Sequence, residues 1–225
     1  MPLSSSQPTP STDPDHLNAM IEGAAAVIFD NDGTIVDSMP LHLKAYQVAM
    51  AQFGLLFPGP LFYAWAGQPA SVIIEKLKKD QGKPEVNVKA LMEAKKEALH
   101  AVMHTIRPIE PVVTLLRHAR AKGIPIAVAS GGERKDVLAS LEASGVGVDV
   151  FDAVVTCEDV KNGKPDPETF LLAAHKLGVD PTKCVGLEDG EKGLEALRGA
   201  GMVALDARTF EGYPTPVIND VVDAK

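Results

Sequence analysis

Two carboxylates stand where an apolar run stops. Ala25 to Phe29 gives way to Asp30, Asn31, Asp32, Gly33 and Thr34. The run reads as a buried parallel strand, and open α/β sheets keep their chemistry at the carboxyl ends of such strands. Aspartates two residues apart there can converge on one point. One Asp can act as a nucleophile that forms an aspartyl-phosphate, and the other can serve as general acid and base. Later strand ends add matching groups. Ile124 to Ala129 ends in Ser130, Gly131 and Gly132 before a helix from about Glu133 to Ala143, so a hydroxyl and free N–H groups face a helix N-terminus, where anions bind. Lys164 lies in the loop KNGKPDP. Cys184 to Leu187 ends in Glu188, Asp189 and Gly190, which with Asp30 make an acidic cluster suited to hard Mg2+. Singly, each is ordinary: an Asp before Gly caps or turns, Ser130 sits in a βα turn, and a lysine before proline faces solvent. Together and in chain order they meet what phosphoryl transfer requires: an in-line nucleophile, a cation, equatorial donors and a proton source.

The elements that would position these groups alternate. Pro40 opens an amphipathic helix close behind Ser38, which is placed to cap it, and the helix runs to Gly54. Pro58 to Pro60 breaks the chain, and Phe57, Phe62, Tyr63 and Trp65 then cluster before Gly67, a composition that favours a small helical core. Helical stretches follow at about Ala70 to Lys79 and Val88 to His104. The lysines between Ser71 and His100 read as a solvated helix face in preference to a substrate-steering surface. After Pro108 the pattern is helix and strand in turn: a helix from Pro111 to Gly123, strands near Ala153 to Thr156 and Met202 to Leu205, and a helix with Asp166 as N-cap. The expected architecture is an α/β, Rossmann-like parallel-sheet core, residues 21–37 and 108–225, interrupted by a helical cap at 38–107. Residues 1–20 read as a disordered leader rich in Ser, Pro and Thr, and the tail from Ala207 carries no clear signal.

A formal net charge of −8 over 225 residues argues against a general nucleic-acid or anionic-membrane binder, since both need a basic face. No apolar run approaches the roughly 20 residues needed to span a bilayer. Without a basic start, Met1 to Asn18 does not read as a secretory signal. Cys157 and Cys184 lack metal-ligand spacing and read as reduced thiols of a cytoplasmic protein. A monomer acting on a small phosphorylated metabolite is expected.

The motifs DNDGT at Asp30, Ser130, GKPDP at Lys164 and LEDGEKG at Glu188 resemble those of the haloacid dehalogenase superfamily. The branch with a small helical cap after the first motif is closest, similar to β-phosphoglucomutases and sugar-phosphate phosphatases. The resemblance runs from about Ala25 to Asp206. It implies Asp30 as nucleophile, Asp32 as general acid/base, and Ser130 and Lys164 as phosphate ligands. It further implies Mg2+ held by Asp30, Asp189, Glu188 and the Asp32 carbonyl. Cap and second-motif positions make His42, Tyr46, Gly67, Gly131 and Arg134 candidate substrate contacts. Three departures stand out. Ala70 occupies the place where β-phosphoglucomutases carry an Arg for a second phosphate, the second motif reads SGGERK, and Gly190 stands where Ser is common. The expected activity is Mg2+-dependent hydrolysis of sugar phosphates such as fructose 1-phosphate through an aspartyl-phosphate. A β-phosphoglucomutase-like hexose phosphomutase is the alternative, and a non-catalytic phosphometabolite sensor is a third reading.

Overall fold

A computed structural model describes residues 12–65 and 68–215. Five parallel strands, β1 (Ala26–Phe29), β2 (Ile126–Ala129), β3 (Ala153–Val155), β4 (Cys184–Glu188) and β5 (Val203–Asp206), lie in the order β3-β2-β1-β4-β5. The chain winds outward from β1 through β2 to β3, then returns to the other side of β1 for β4 and β5. That reversal opens a crevice at the carboxyl ends of β1, β2 and β4.

Alternation within β1 explains the layering. Val27 and Phe29 face one apolar cluster with α1 (Pro14–Glu22), α6 (Glu110–Ala121) and α7 (Arg134–Ala143). Ala26 and Ile28 face the other, with α8 (Glu168–Leu177) and α9 (Glu191–Gly199). A strand covered on both faces has no solvent side, so β1, β2 and β4 are apolar at nearly every position.

Four helices, α2 (Met39–Gln52), α3 (Gly59–Ala64), α4 (Ala70–Asp80) and α5 (Val88–Val102), form a separate cluster with its own core of Tyr46, Phe57, Phe62, Ile74 and Leu91. The two chain segments joining it to the sheet run side by side: Asp37 N–H donates to Arg107 O (2.9 Å) and Ile109 N–H to Ile35 O (2.8 Å).

Some expectations need correction. The leader does not reach residue 20 as disordered chain. Asp13 caps α1 by accepting from Asp15 and His16 N–H, Pro14 occupies its first turn, and Leu17 and Ile21 are buried against α6. Ser38 precedes α2 with helical backbone angles and makes no side-chain cap. Pro167, not Asp166, is the residue before α8; Asp166 Oδ1 accepts from Glu168 N–H at 3.0 Å. The described part of the tail, through Thr215, is packed on the fold, with Phe210 buried in the sheet's core.

Candidate active site

Each predicted strand end reaches the crevice. Asp30 leaves β1 with its N–H bonded to Leu187 O of β4 (2.9 Å) and is almost fully buried. Lys164 arrives from the loop before α8, which Glu168 holds in place by accepting from Lys161 and Asn162 N–H, both at 2.9 Å. The Lys164 ammonium donates to Asp30 Oδ1 (2.5 Å) and Glu188 Oε1 (2.9 Å) and lies 4.7 Å from the centre of the Phe170 ring. Gly190 N–H donates to the second oxygen of Glu188. Gly193 leaves room for the Glu188 carboxylate, since a Cβ there would fall on it.

Burial drives the Asp30 carboxyl well above its usual range; the Lys164 charge opposes this, while Glu188 and Asp189 add to it. Burial likewise works against the Lys164 ammonium, but the Asp30 and Glu188 carboxylates outweigh it and hold the group above its usual value. Asp189 accepts from Thr34 Oγ1 at 3.0 Å; burial and then the Glu188 charge push it up to about 7. Three carboxyls therefore share one ammonium in a low-dielectric crevice, a balance that favours further positive charge.

Asp32 turns away from this cluster. Its Oδ1 lies 3.7 Å from His42 Nε2 on α2, and His42 Nδ1 lies 3.0 Å from the Lys95 ammonium on α5. Burial raises the Asp32 carboxyl, but the His42 hydrogen bond and charge more than offset it and bring it to about 2. These groups line a cavity of about 220 Å3 together with Gly132 and Glu133. Ser130 is buried beside it, its Oγ accepting from Gly132 N–H at 3.0 Å, the βα-turn arrangement. The hydroxyl proton is not used in that bond and can donate to an anion. Gly131 is exposed at the same turn.

Two proposed substrate contacts lie elsewhere. Arg134 points off the crevice to Asp159 Oδ2 (2.6 Å) and Val154 O (3.3 Å), because α7 starts by carrying its side chain toward the end of β3. Tyr46 is packed inside the cap against Phe57 and Phe62, ring centres 5.7 and 6.1 Å away, and meets the site only through Lys95, 5.2 Å from its ring centre. Gly67 lies outside the described residues. Four contributors were not singled out from the sequence. Asn31 Nδ2 ties the Asp30 turn to Ser140 on α7 at 3.0 Å, and Thr34 holds Asp189. Lys95 is the cap lysine that turns inward to His42. Tyr213 reaches Gly33. Only Asn31 and Thr34 had a signal, their places in DNDGT.

Among the described residues no three Asp, Glu, His or Cys side chains form a ready-made metal cluster. Mg2+ does not require one, since it binds through one or two carboxylates and keeps waters or substrate oxygens for the rest. Asp30 and Asp189 with the Asp32 carbonyl are such a sparse set of hard oxygens. Gly33 leaves space for it: its φ is +82°, and a Cβ there would lie 2.3 Å from Asp189 Oδ2. The residues present fit a small divalent cation. The Asp32 side chain, held by His42, is not among its donors.

A family model described as haloacid dehalogenase-like hydrolase matches residues 24–201. The chain is 38% identical over 196 residues to the fructose-1-phosphate phosphatase YqaB of Escherichia coli, a match covering 84% of this chain and 99% of that protein. It is 32% identical over 182 residues to a phosphorylated carbohydrates phosphatase of Thermotoga maritima, covering 79% and 82%. Among solved structures, β-phosphoglucomutase from Clostridium difficile matches with a TM-score of 0.68 at 25% identity over 81% of this chain and 84% of that one. The parallel sheet, the strand-end residues and these matches agree: the chain belongs to the haloacid dehalogenase-like hydrolase family and is an enzyme of its phosphatase type.

Proposed function

We propose that the chain is a Mg2+-dependent phosphatase of small phosphorylated carbohydrates, fructose 1-phosphate first among them, working through an aspartyl-phosphate on Asp30. The observation that carries this reading is the Lys164 ammonium, which draws Asp30 and Glu188 together at the crevice where Ser130, Asp32 and Asp189 also end. A nucleophilic carboxylate must be ionised, and Lys164 opposes the burial that would protonate Asp30. Asp30 attacks phosphorus while the bond to the sugar oxygen breaks, and Asp32 gives that oxygen a proton. A water then attacks the aspartyl-phosphate, Asp32 takes the water's proton, and phosphate leaves with Asp30 free again. Ser130, neighbouring N–H groups and Lys164 hold the phosphoryl oxygens. When bound at Asp30 and Asp189, Mg2+ supplies the charge that offsets these crowded anions.

With His42 beside it, Asp32 is ionised and ready to act as a base. The acid half of the cycle needs its carboxyl to leave His42, take up a proton and face the leaving oxygen. The similarity to a protein named fructose-1-phosphate phosphatase over nearly its full length supports hydrolysis in preference to a hexose phosphomutase. So does Ala70 as the first residue of α4, where a second phosphate would want a cation. The test is a panel of fructose 1-phosphate, phosphoglycolate and β-glucose 1-phosphate with Mg2+, read as phosphate release. Fructose 1-phosphate should lead, and Asp30→Asn should lose at least about three orders of magnitude in kcat, as removal of a nucleophile does. Unchanged turnover in Asp30→Asn would discard the mechanism.

A further inference from the structure

The segment after β5 returns to the active-site turn. Asp206 caps a single helical turn at Ala207–Thr209, accepting from Arg208 N–H at 3.0 Å. Arg208 clamps Asp206 (2.8 and 2.6 Å) and reaches Glu191 at the start of α9 (2.6 Å). Phe210 is buried in the core of the sheet's first face. With these anchors the chain delivers Tyr213 to the turn after β1, where its hydroxyl donates to Gly33 O at 2.7 Å across 180 residues of sequence. Tyr213, Asp189, Asp37 and Tyr63 then line a cavity of about 410 Å3. Burial, followed by the Asp189 and Asp37 charges, raises the Tyr213 phenol, so it keeps its proton and acts as a donor.

The Gly33 turn has two peptide planes to fix. Gly33 N–H donates to Val36 O at 2.8 Å, which orients the Asp32–Gly33 peptide from within the turn. The next peptide, Gly33–Thr34, has its carbonyl held by Tyr213 from the far end of the chain. Thr34 follows directly and carries the hydroxyl that holds Asp189 Oδ1 at 3.0 Å. Glycine at positive φ is the residue least able to hold such a geometry alone, because both signs of φ are open to it.

We infer that Tyr213 is a positioning residue for the cation side of the site: its hydrogen bond to Gly33 O fixes the Gly33–Thr34 peptide, and with it the Thr34–Asp189 pair. This rests on the Mg2+-dependent reading above. Tyr213→Phe keeps the ring and removes only the donor. The experiment compares wild type and Tyr213→Phe in Mn2+ binding to the free protein by electron paramagnetic resonance, in kcat and KM for an aryl phosphate, and in Tm. Loss of one hydrogen bond predicts Mn2+ binding weaker by about three- to tenfold and kcat lower by a similar factor. KM and Tm should stay close to wild type. Unchanged Mn2+ affinity in Tyr213→Phe, whatever its Tm, overturns the inference, since the phenol would then be only a tether. A wild-type chain that binds no Mn2+ overturns the cation reading itself, and the inference with it.

Discussion

Asp189 carries a pH dependence whose sign follows from its burial. A carboxyl whose folded-state pKa lies above its unfolded value binds more protons folded than unfolded between the two, so stability falls as pH climbs through that window. For Asp189 the window runs from the ordinary 3.8 to about 7, and Asp30 is shifted in the same direction. Asp32, brought down to about 2, contributes stability that is already complete above the unfolded value and does not change within the upper part of this window. The metal-free protein should therefore lose on the order of 1–3 kcal/mol of stability between pH 5 and 7.5. Urea unfolding at several pH values measures this. Asp189→Asn should flatten the slope, and added Mg2+ should restore stability most at the upper end. A flat profile in the metal-free wild type would mean that Asp189 is not held as described. At this scale the sequence disclosed the residues that end strands and concealed those that arrive sideways. Asp30, Ser130, Lys164 and Asp189 each follow an apolar run or a turn signal. Lys95 is one lysine among several at helical spacing, and only its tertiary placement beside His42 separates it from the others.

Between elements, the contact of cap with core is electrostatic where the substrate must pass. Lys96 on α5 pairs with Glu133 before α7 at 2.8 Å, and His100 pairs with Asp136 on α7 at 3.0 Å. Both pairs are largely open to solvent, and such pairs are worth only about 0.2–1 kcal/mol each. They can bias the cap's position on the crevice without holding the fold. Replacing Glu133 by Gln together with Asp136 by Asn should leave Tm within a few degrees of wild type while raising KM several-fold. Salt at about 0.5 M, which screens exposed charges over a few ångströms, should raise KM in wild type and leave the double variant unaffected. Salt sensitivity equal in the two proteins would assign the effect elsewhere. The opposite case is α1, whose contact is apolar. Ile21 is fully buried, so Ile21→Ala should cost about 2–4 kcal/mol in urea unfolding. A cost under about 0.5 kcal/mol would return that segment to the role of a dispensable leader. The signal for α1 was present in Asp13 followed by Pro14, but nine residues of helix behind a Ser, Pro and Thr-rich stretch are too few for periodicity to stand out.

Taken whole, the described chain is a sheet with an apolar core on each face and a helical cluster with its own core, joined by two adjacent strands of chain; in the sequence, the helical run between Pro40 and His104 interrupts an otherwise regular alternation. The closing of the fold by its tail was not legible: Phe210 and Tyr213 lie in a short segment without period, and their partners are far away in sequence. The joining segments also explain how the site can work in two stages. Val36 bridges Pro108 in antiparallel fashion, and the flanking bonds from Asp37 to Arg107 and Ile109 to Ile35 make a narrow two-stranded strap on which the cap can pivot. Asp32 and His42 stand on opposite sides of that strap, so rotation of α2 about it changes their separation and frees the Asp32 carboxyl to face the substrate. Such a movement would also exclude water from the crevice. Hydrogen exchange with Mg2+ and orthovanadate, a mimic of the phosphoryl group, should therefore slow at residues 35–39 and 105–109 and at the loop after β2. The amides of β1, already buried between β2 and β4, should not change. Protection confined to the loop after β2, with neither linker affected, would leave the cap fixed during the reaction. Release of Asp32 from His42 would then have to come from a side-chain rotation alone.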